Sequence, residues 1–151
     1  METKQTGWVI IIVISITMVL WALLSGGVTT DEHEMIYLYL FFPVMLIPAL
    51  LFYQLTIVVD YTEVKIRFGI GLIRKRWLLS DIESASVVKN TILQGWGIHY
   101  TLHTNIYNVS GMMAVELKLK NSIRKVRIGT AEPEKLADYI NRMISKNKKS
   151  S

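Results

Sequence analysis

The 151-residue sequence predicts an α+β protein, with an N-terminal helical hairpin, an antiparallel β-barrel of about seven strands and one C-terminal α-helix. Three observations predict it: two long uncharged apolar stretches come first, short runs of alternating polar and apolar residues follow, and an amphipathic stretch comes last. We therefore divide the chain into a helical region, residues 1–53, and a strand-rich domain, residues 54–151.

The two apolar stretches have the composition of membrane-spanning helices. Residues 8–24 contain no charge and would form roughly 26 Å of helix, which is near the lower limit for crossing a bilayer. Residues 35–53 contain Pro43 and Pro48, which membrane helices tolerate. A short acidic loop joins the two stretches. We expect a two-span anchor, and a cleaved signal peptide is the alternative interpretation of the first stretch.

The distribution of charge predicts how such an anchor would be oriented. The net charge is +5, and a group of basic residues follows the second apolar stretch, whereas the loop between the stretches contains no Lys or Arg. Basic residues next to a span favour the cytoplasmic side. The sequence thus predicts an integral, multi-pass protein of the cell membrane with both termini in the cytoplasm.

Alternation of polar and apolar residues begins after the second stretch. It is clearest in Glu63–Phe68 and in a hairpin formed by Ala114–Lys120 and Arg124–Gly129 around the turn at Asn121-Ser122. The predicted strands cover residues 55–60, 63–68, 72–79, 82–89, 98–102, 106–109, 114–120 and 124–128. An open sheet of this size would expose an apolar face and two edges, so we expect the strands to close into a barrel.

The last predicted element is an amphipathic helix over residues 132–146. Pro133 suits its first turn, because proline lacks the N–H that the first turn leaves without a partner. Five apolar residues share one face: Leu136, Ala137, Ile140, Met143 and Ile144. We expect this face to cover one end of the barrel.

Several short motifs resemble the bacterial pleckstrin-homology-like (bacterial PH) domain over residues 54–146. The motifs are Asp81-Ile82, Gly95-Trp96-Gly97-Ile98, Tyr107-Asn108-Val109-Ser110-Gly111, Ala114-Val115-Glu116-Leu117, Ile128-Gly129-Thr130 and Glu132-Pro133-Glu134-Lys135-Leu136. The resemblance implies a PH-type barrel, with Gly95, Trp96, Gly97, Tyr107, Gly111, Gly129 and Pro133 as structural residues. It implies no catalytic residue and no phosphoinositide ligand, and it favours self-assembly or contact with a protein.

The residue types present exclude several kinds of chemistry. The chain has no cysteine, which excludes disulfides, thiolate zinc sites and a cysteine nucleophile. His99 and His103 are the best metal candidates, but four positions on a strand separate them by ~13 Å. Ser110 lacks the pattern of a nucleophile elbow, so we interpret it as part of a turn in which Gly111 takes a positive φ. The sequence predicts no enzymatic activity, no metal and no cofactor.

Five basic residues are the strongest candidates for a binding site: Lys65, Arg67, Arg74, Lys75 and Arg76. They could contact anionic lipid or a protein partner, or they could serve only as the charge signal for membrane orientation. We expect a membrane-anchored interaction module that contacts a protein or assembles with itself. The alternatives are binding of anionic lipid headgroups and a role as accessory subunit of a membrane enzyme or transporter. Nucleic acid is not expected, since no recognition helix or stacking motif is present.

Overall fold

A computed structural model describes residues 1–24, 32–91 and 96–150 of the chain. The described part contains three α-helices and nine β-strands. The helices are α1 (Trp8–Leu24), α2 (Glu32–Phe52) and α3 (Pro133–Ser150). The strands are β1 (Glu2–Thr6), β2 (Gln54–Val59), β3 (Glu63–Phe68), β4 (Ile73–Leu78), β5 (Ile82–Lys89), β6 (Gly97–Tyr100), β7 (Thr104–Asn108), β8 (Met113–Leu119) and β9 (Lys125–Gly129).

The strands form two separate sheets, so the predicted closed PH-like β-barrel is wrong. The first sheet has the order β1-β2-β3-β4, and the second has the order β5-β8-β9-β7-β6. All described pairs are antiparallel except β7 and β9, which run parallel. A short 3-10 turn, Leu79–Asp81, separates β4 from β5, and β5 pairs with β8 rather than continuing the first sheet. The alternation in the sequence indicated which side chains point inward, but it could not indicate which strands pair.

The hydrophobic core lies between the two sheets and is completed by α3. Phe68 of the first sheet and Tyr107 of the second are both buried, with ring centroids 6.4 Å apart. The ring of Trp77 lies 5.6 Å from that of Tyr107. The predicted apolar face of the C-terminal helix is confirmed as buried: Leu136, Ala137, Ile140, Met143 and Ile144 all belong to the core. Two sheets and one helix therefore share a single apolar interior.

The helix α3 also covers one sheet edge. The Asn141 side-chain amide donates to the Ala85 carbonyl at 2.8 Å, and its oxygen accepts from the Ala85 N–H at 2.9 Å. Ala85 lies on the edge strand β5, next to an irregularity of register between Ile82 and Ser84. One side chain thus satisfies a backbone donor and a backbone acceptor that an edge strand would otherwise leave free.

The helical hairpin is tied to the first sheet at both of its ends. The strand β1, which precedes α1, pairs with β2, which follows α2, and the Gly7 N–H donates to the Tyr53 carbonyl at 2.8 Å. The sequence analysis did not predict β1, because its five residues are polar and too short to show a clear period. Both helices therefore leave from one end of one sheet.

Neither helix supports the predicted two-span anchor. In the described part of the chain, no helix combines the length and the hydropathy needed to cross a membrane. The helix α1 has 17 residues, and α2 begins with Glu32 and Glu34 and contains Pro43 and Pro48. This finding contradicts the predicted transmembrane hairpin and, with it, the predicted multi-pass cell-membrane location with cytoplasmic termini.

Candidate functional site

Strand alternation places the predicted basic residues of β3 on the outer face of the first sheet. Val64, Ile66 and Phe68 are buried in the core, so Lys65 and Arg67 between them point away from it. The register continues this pattern onto β4: Lys65 lies opposite Arg76, and Arg67 lies opposite Arg74. Four of the five predicted basic residues therefore share one face.

These residues line a groove of about 690 Å³ on the first sheet, which we call the basic groove. The residues lining it are Glu2, Thr56, Val58, Lys65, Ile66, Arg67, Arg74, Lys75 and Arg76. Its sides carry most of the charge, while Thr56 and Val58 lie on the central strand β2 and provide a less polar floor. The lining of the groove thus carries five basic residues and one acidic residue, Glu2.

Lys75 departs from the predicted set. It is one of the residues that line the basic groove, but its register partner is the inward-facing Ile66, so strand alternation assigns its side chain to the opposite face. The strand β4 is an edge of the first sheet, and Lys75 is exposed. An inward-pointing charge on an edge strand opposes pairing with another strand. We therefore explain Lys75 as a charge that keeps other strands from pairing with the edge strand β4.

Internal ion pairs neutralise one cation of the groove. The Lys65 ammonium lies 2.8 Å from a Glu63 carboxylate oxygen and 3.4 Å from one of Asp60. The hydrogen bond with Glu63 is the main cause that raises the pKa of Lys65 above its usual value, and Asp60 adds to it. Within the described residues, no ion pair involves Arg67, Arg74 or Arg76. The Arg74 Nε donates to the Gly71 carbonyl, which holds the guanidinium group in place through one of its nitrogens.

Arg67 and Arg74 are direct cross-strand neighbours of the same charge. Like charges directly opposite one another destabilise a sheet, whereas an anion between them removes the repulsion. Three arginines without a carboxylate partner in the described chain, two of them opposed, are an arrangement suited to binding an anionic group. The sequence indicated these residues, but only the register shows that they converge.

Replacing Arg67 with glutamine is expected to raise the free energy of unfolding by about 0.2–1 kcal/mol at low salt, because the repulsion of Arg74 is removed. Urea unfolding checks this at ~20 mM and at ~500 mM NaCl, and the gain should shrink at the higher concentration as charges are screened. Arg67→Lys, which keeps the charge, is the control and should show little change. A loss of stability in Arg67→Gln at both salt concentrations would contradict the electrostatic explanation.

The residues that the sequence analysis predicted to be structural do not lie together in the fold. Gly95 lies outside the described residues. Trp96 directly precedes β6, and its side chain is about half exposed, at 51%. Gly97 and Gly111 have φ values of 79° and 77°, in the left-handed region that favours glycine. Pro133 begins α3 as predicted.

Tyr107 and Gly129 belong to the interior of the second sheet. Burial is the main cause that raises the pKa of the Tyr107 phenol well above its ordinary value, and a hydrogen bond with Tyr100 adds to it. The phenol therefore stays neutral and acts in packing. Gly129 lies against the buried side chain of Asn108, whose amide donates to the Gly111 carbonyl at 2.7 Å. These contacts explain why Tyr107 and Gly129 have structural roles.

Neither histidine enters a metal site in the described residues. A ring nitrogen of His99 contacts the Trp96 carbonyl, and the His103 carbonyl accepts from the Lys125 N–H at 2.8 Å. Among the residues that the structure describes, no group of three or more histidine or acidic side chains could hold a metal ion. His99 thus belongs to β6, and His103 belongs to the turn between β6 and β7.

A second polar cluster, which the sequence analysis missed, lies on the outer face of the second sheet. The buried Glu116 carboxylate makes ion pairs of 2.8 Å with both Lys125 and Arg127. Burial alone would raise the pKa of Glu116, but hydrogen bonds from Lys125 and Arg127 outweigh it and lower the pKa below its usual value. The cluster could have been found in the sequence from the polar residues that alternate with apolar ones in both strands of the β8–β9 hairpin. Because each charged group of the cluster has an ion-pair partner within it, the cluster is suited to stability rather than to binding.

Glu116 makes the stability of the fold dependent on pH. A carboxyl group with a lowered folded-state pKa stabilises the protein above its unfolded pKa, near 4.5, and this contribution is lost as the pH falls through the folded pKa. Thermal unfolding from about pH 6 to pH 3 should therefore show a steeper loss for the native chain than for Glu116→Gln. Glu83→Gln, which removes an exposed pair with Lys118, is the control. Parallel profiles for the native chain and Glu116→Gln would rule out this role.

Comparison of the chain with models of protein families, with curated proteins and with solved structures finds no match. The resemblance to the bacterial PH domain accordingly stays a prediction, as do the predicted absence of enzymatic activity and the predicted partners. The basic groove is therefore interpreted from its own geometry.

Proposed function

We propose that the chain is a protein-interaction module whose basic groove binds an acidic segment of a partner protein. The observation that carries the proposal is the convergence of Arg67, Arg74 and Arg76 on one exposed face, with no carboxylate paired to them in the described chain. Such an arrangement has an electrostatic cost in the free protein that an anionic ligand removes. A purely structural set of arginines would be expected to carry its own counter-charges, as Lys65 does.

The spacing of the arginines favours an extended peptide. Arg74 and Arg76 are two residues apart on β4, so their Cα atoms are separated by roughly 6.7 Å along the strand. Acidic side chains at alternate positions of an extended segment repeat at the same distance. Arginine binds carboxylates through two parallel hydrogen bonds, which gives orientation as well as affinity. Thr56 and Val58 in the floor could contact the uncharged side chains of the same segment.

Anionic lipid headgroups present related chemistry, and their binding is the alternative function. Arg74 and Arg76 follow one another along β4 at the two-residue repeat of an extended segment, and this spacing favours the peptide over a compact headgroup.

Fluorescence anisotropy with the full chain tests the proposal. The probe is a labelled peptide with glutamate at alternate positions, and the matched control peptide carries glutamine instead. Arg67→Gln/Arg76→Gln should weaken binding at least ~10-fold, since two charged hydrogen bonds are lost, and it leaves the Arg74 contact with Gly71 in place. Lys120→Gln/Arg124→Gln, which removes the same charge elsewhere, should bind like the native chain. Affinity should fall as salt rises.

Three outcomes would overturn the proposal. The first is equal affinity for the two peptides, and the second is an equal loss of affinity in both double variants. The third is binding to vesicles that contain phosphatidylserine without any binding to the acidic peptide, which would support the lipid function instead.

A further inference from the structure

Thr56 is a buried polar residue among those that line the basic groove. It is 3% exposed, and it lies on the outer face of the first sheet, because its neighbours Leu55 and Ile57 point into the core. Its hydroxyl makes no hydrogen bond to any described residue and, unlike the hydroxyl of Thr3, is not fully sealed from solvent. A hydroxyl with so little water around it gains more from an acceptor on a ligand than an exposed hydroxyl would.

One cross-strand row joins Thr56 to two arginines. Thr56 lies opposite Arg67 on β3, and Arg67 lies opposite Arg74 on β4, so the three residues follow one another across the outer face. Neighbouring strands are ~4.8 Å apart, which brings one hydroxyl and two long guanidinium side chains within reach of one small group. The row therefore offers hydrogen-bond donors from three adjacent strands to a single ligand group.

The two arginine side chains meet beside Gly71, in the turn between β3 and β4. A methyl group placed on Gly71 would lie 2.8 Å from the Arg67 Cδ and 3.3 Å from the Arg74 Nη2, so both side chains border the same small space. The Arg74 Nε donates to the Gly71 carbonyl, which leaves the two terminal nitrogens of Arg74 for a ligand. Two positive side chains are thus held close together, and neither forms an ion pair with a carboxylate of the described chain.

The charge of this row fits a dianion better than a single carboxylate. A carboxylate carries one negative charge, so it would neutralise one arginine and leave the other unpaired. A phosphorylated side chain carries about −1.5 to −2 charges at neutral pH and has three acceptor oxygens, one for each of Thr56, Arg67 and Arg74. Glu2, the acidic residue of the groove lining, pairs instead with Lys4 at 3.3 Å. The row therefore suits a phosphoryl group.

We propose that Thr56, Arg67 and Arg74 form a phosphoryl subsite, which binds a phosphorylated side chain of the partner segment. The inference rests on the proposed function, because the subsite lies inside the basic groove. Arg76 belongs to the next cross-strand row, opposite Lys65, and is left for an acidic side chain two positions along the same segment. Thr56 is thus the residue that distinguishes phosphoserine or phosphothreonine from glutamate.

Fluorescence anisotropy with the full chain tests the subsite. The probes are the alternate-glutamate peptide and a version in which phosphoserine replaces one central glutamate. The native chain should bind the phosphoserine peptide at least ~10-fold more tightly, because this peptide adds charge and one more acceptor oxygen. Thr56→Val keeps the volume and removes only the hydroxyl. It should weaken the phosphoserine peptide at least ~5-fold and the glutamate peptide by less than ~2-fold, and the retained glutamate binding shows that the variant is folded.

Thr3→Val is the matched control. Thr3 is also a buried threonine of the first sheet, and its hydroxyl also lacks a hydrogen-bond partner among the described residues. It lies opposite the core residue Ile57 and therefore faces away from the basic groove. This variant should bind both peptides like the native chain.

The possible failures separate this inference from the proposed function. Binding of the glutamate peptide without a gain from phosphoserine would overturn the subsite and leave the proposed function in place. An equal loss for both peptides in Thr56→Val, or the same loss in Thr3→Val, would also overturn it. Binding to phosphatidic acid vesicles that depends on Thr56, without any preference for the phosphoserine peptide, would assign the phosphoryl group to a lipid and overturn it. No binding of either peptide would overturn both proposals.

Discussion

Replacing Phe68 with alanine is expected to lower the free energy of unfolding by about 3–5 kcal/mol, the usual cost of removing a buried aromatic ring. Phe68 is fully buried, and its ring lies 5.7 Å from that of Phe52 and 6.4 Å from that of Tyr107. One side chain therefore joins the end of α2, the first sheet and the second sheet. Chemical denaturation followed by circular dichroism measures the loss.

Phe68→Leu is the matched control, because leucine keeps most of the volume and should cost clearly less than alanine. The position of Phe68 also gives a structural signature. Loss of the ring should increase hydrogen exchange in both sheets at once, since the cavity lies between them. A loss of less than about 1 kcal/mol in Phe68→Ala would contradict the shared core described above.

Replacing Gly129 with alanine is expected to cost about 2–4 kcal/mol, because the added methyl group meets a buried and fully engaged side chain. A Cβ at this position would lie 1.9 Å from the Asn108 Oδ1. That oxygen accepts from the N–H groups of Val109 at 2.9 Å and Ser110 at 3.2 Å, so Asn108 cannot move without breaking the turn. Thermal unfolding of the variant measures the cost.

A double-mutant cycle separates this contact from a general effect of alanine. Asn108→Ala removes the two closest atoms and leaves only a Cβ at 3.0 Å from the new methyl group. In the Asn108→Ala background, Gly129→Ala should therefore cost less than half of its value in the native chain. Strict additivity of the two substitutions would show that the steric explanation is wrong.

The predictable parts of the fold are those set by local periodicity. The strand Ile82–Lys89 forms over the predicted residues, and the hairpin of β8 and β9 pairs as expected. Its inward residues Val115, Leu117, Val126 and Ile128 are buried. In each case the alternation of one segment determines which of its faces meets the core.

The parts that sequence analysis could not predict depend on contacts between distant segments. The parallel pairing of β7 with β9 leaves no local pattern, because alternation is the same for parallel and antiparallel neighbours. The strand β1 forms only because β2 offers it a partner after two intervening helices. Closure into a barrel was inferred from the need to cover edges, but Asn141 on α3 and Lys75 on β4 manage two edges without closure.

The candidate site, like the fold, was predictable only in part from the sequence. The sequence located its basic residues, since a cluster of Lys and Arg is visible without a structure. It could not show that Lys65 is neutralised by Glu63 and Asp60, or that Lys75 belongs to the other face. On the outer face of the first sheet, those distinctions leave Arg67, Arg74 and Arg76 without an ion pair to any described residue, and the binding hypothesis rests on these three arginines.

Photo-cross-linking in intact cells is the most direct test that the basic groove binds an acidic protein segment. A photoreactive residue at Leu78, which is half exposed and two residues from Arg76, would label a ligand in the groove, and one at Ile123 is the control. The proposal predicts adducts at Leu78 on an acidic protein segment, identified by mass spectrometry and lost in Arg67→Gln/Arg76→Gln. Protein adducts that persist in that double variant, or adducts with lipid alone, would contradict it.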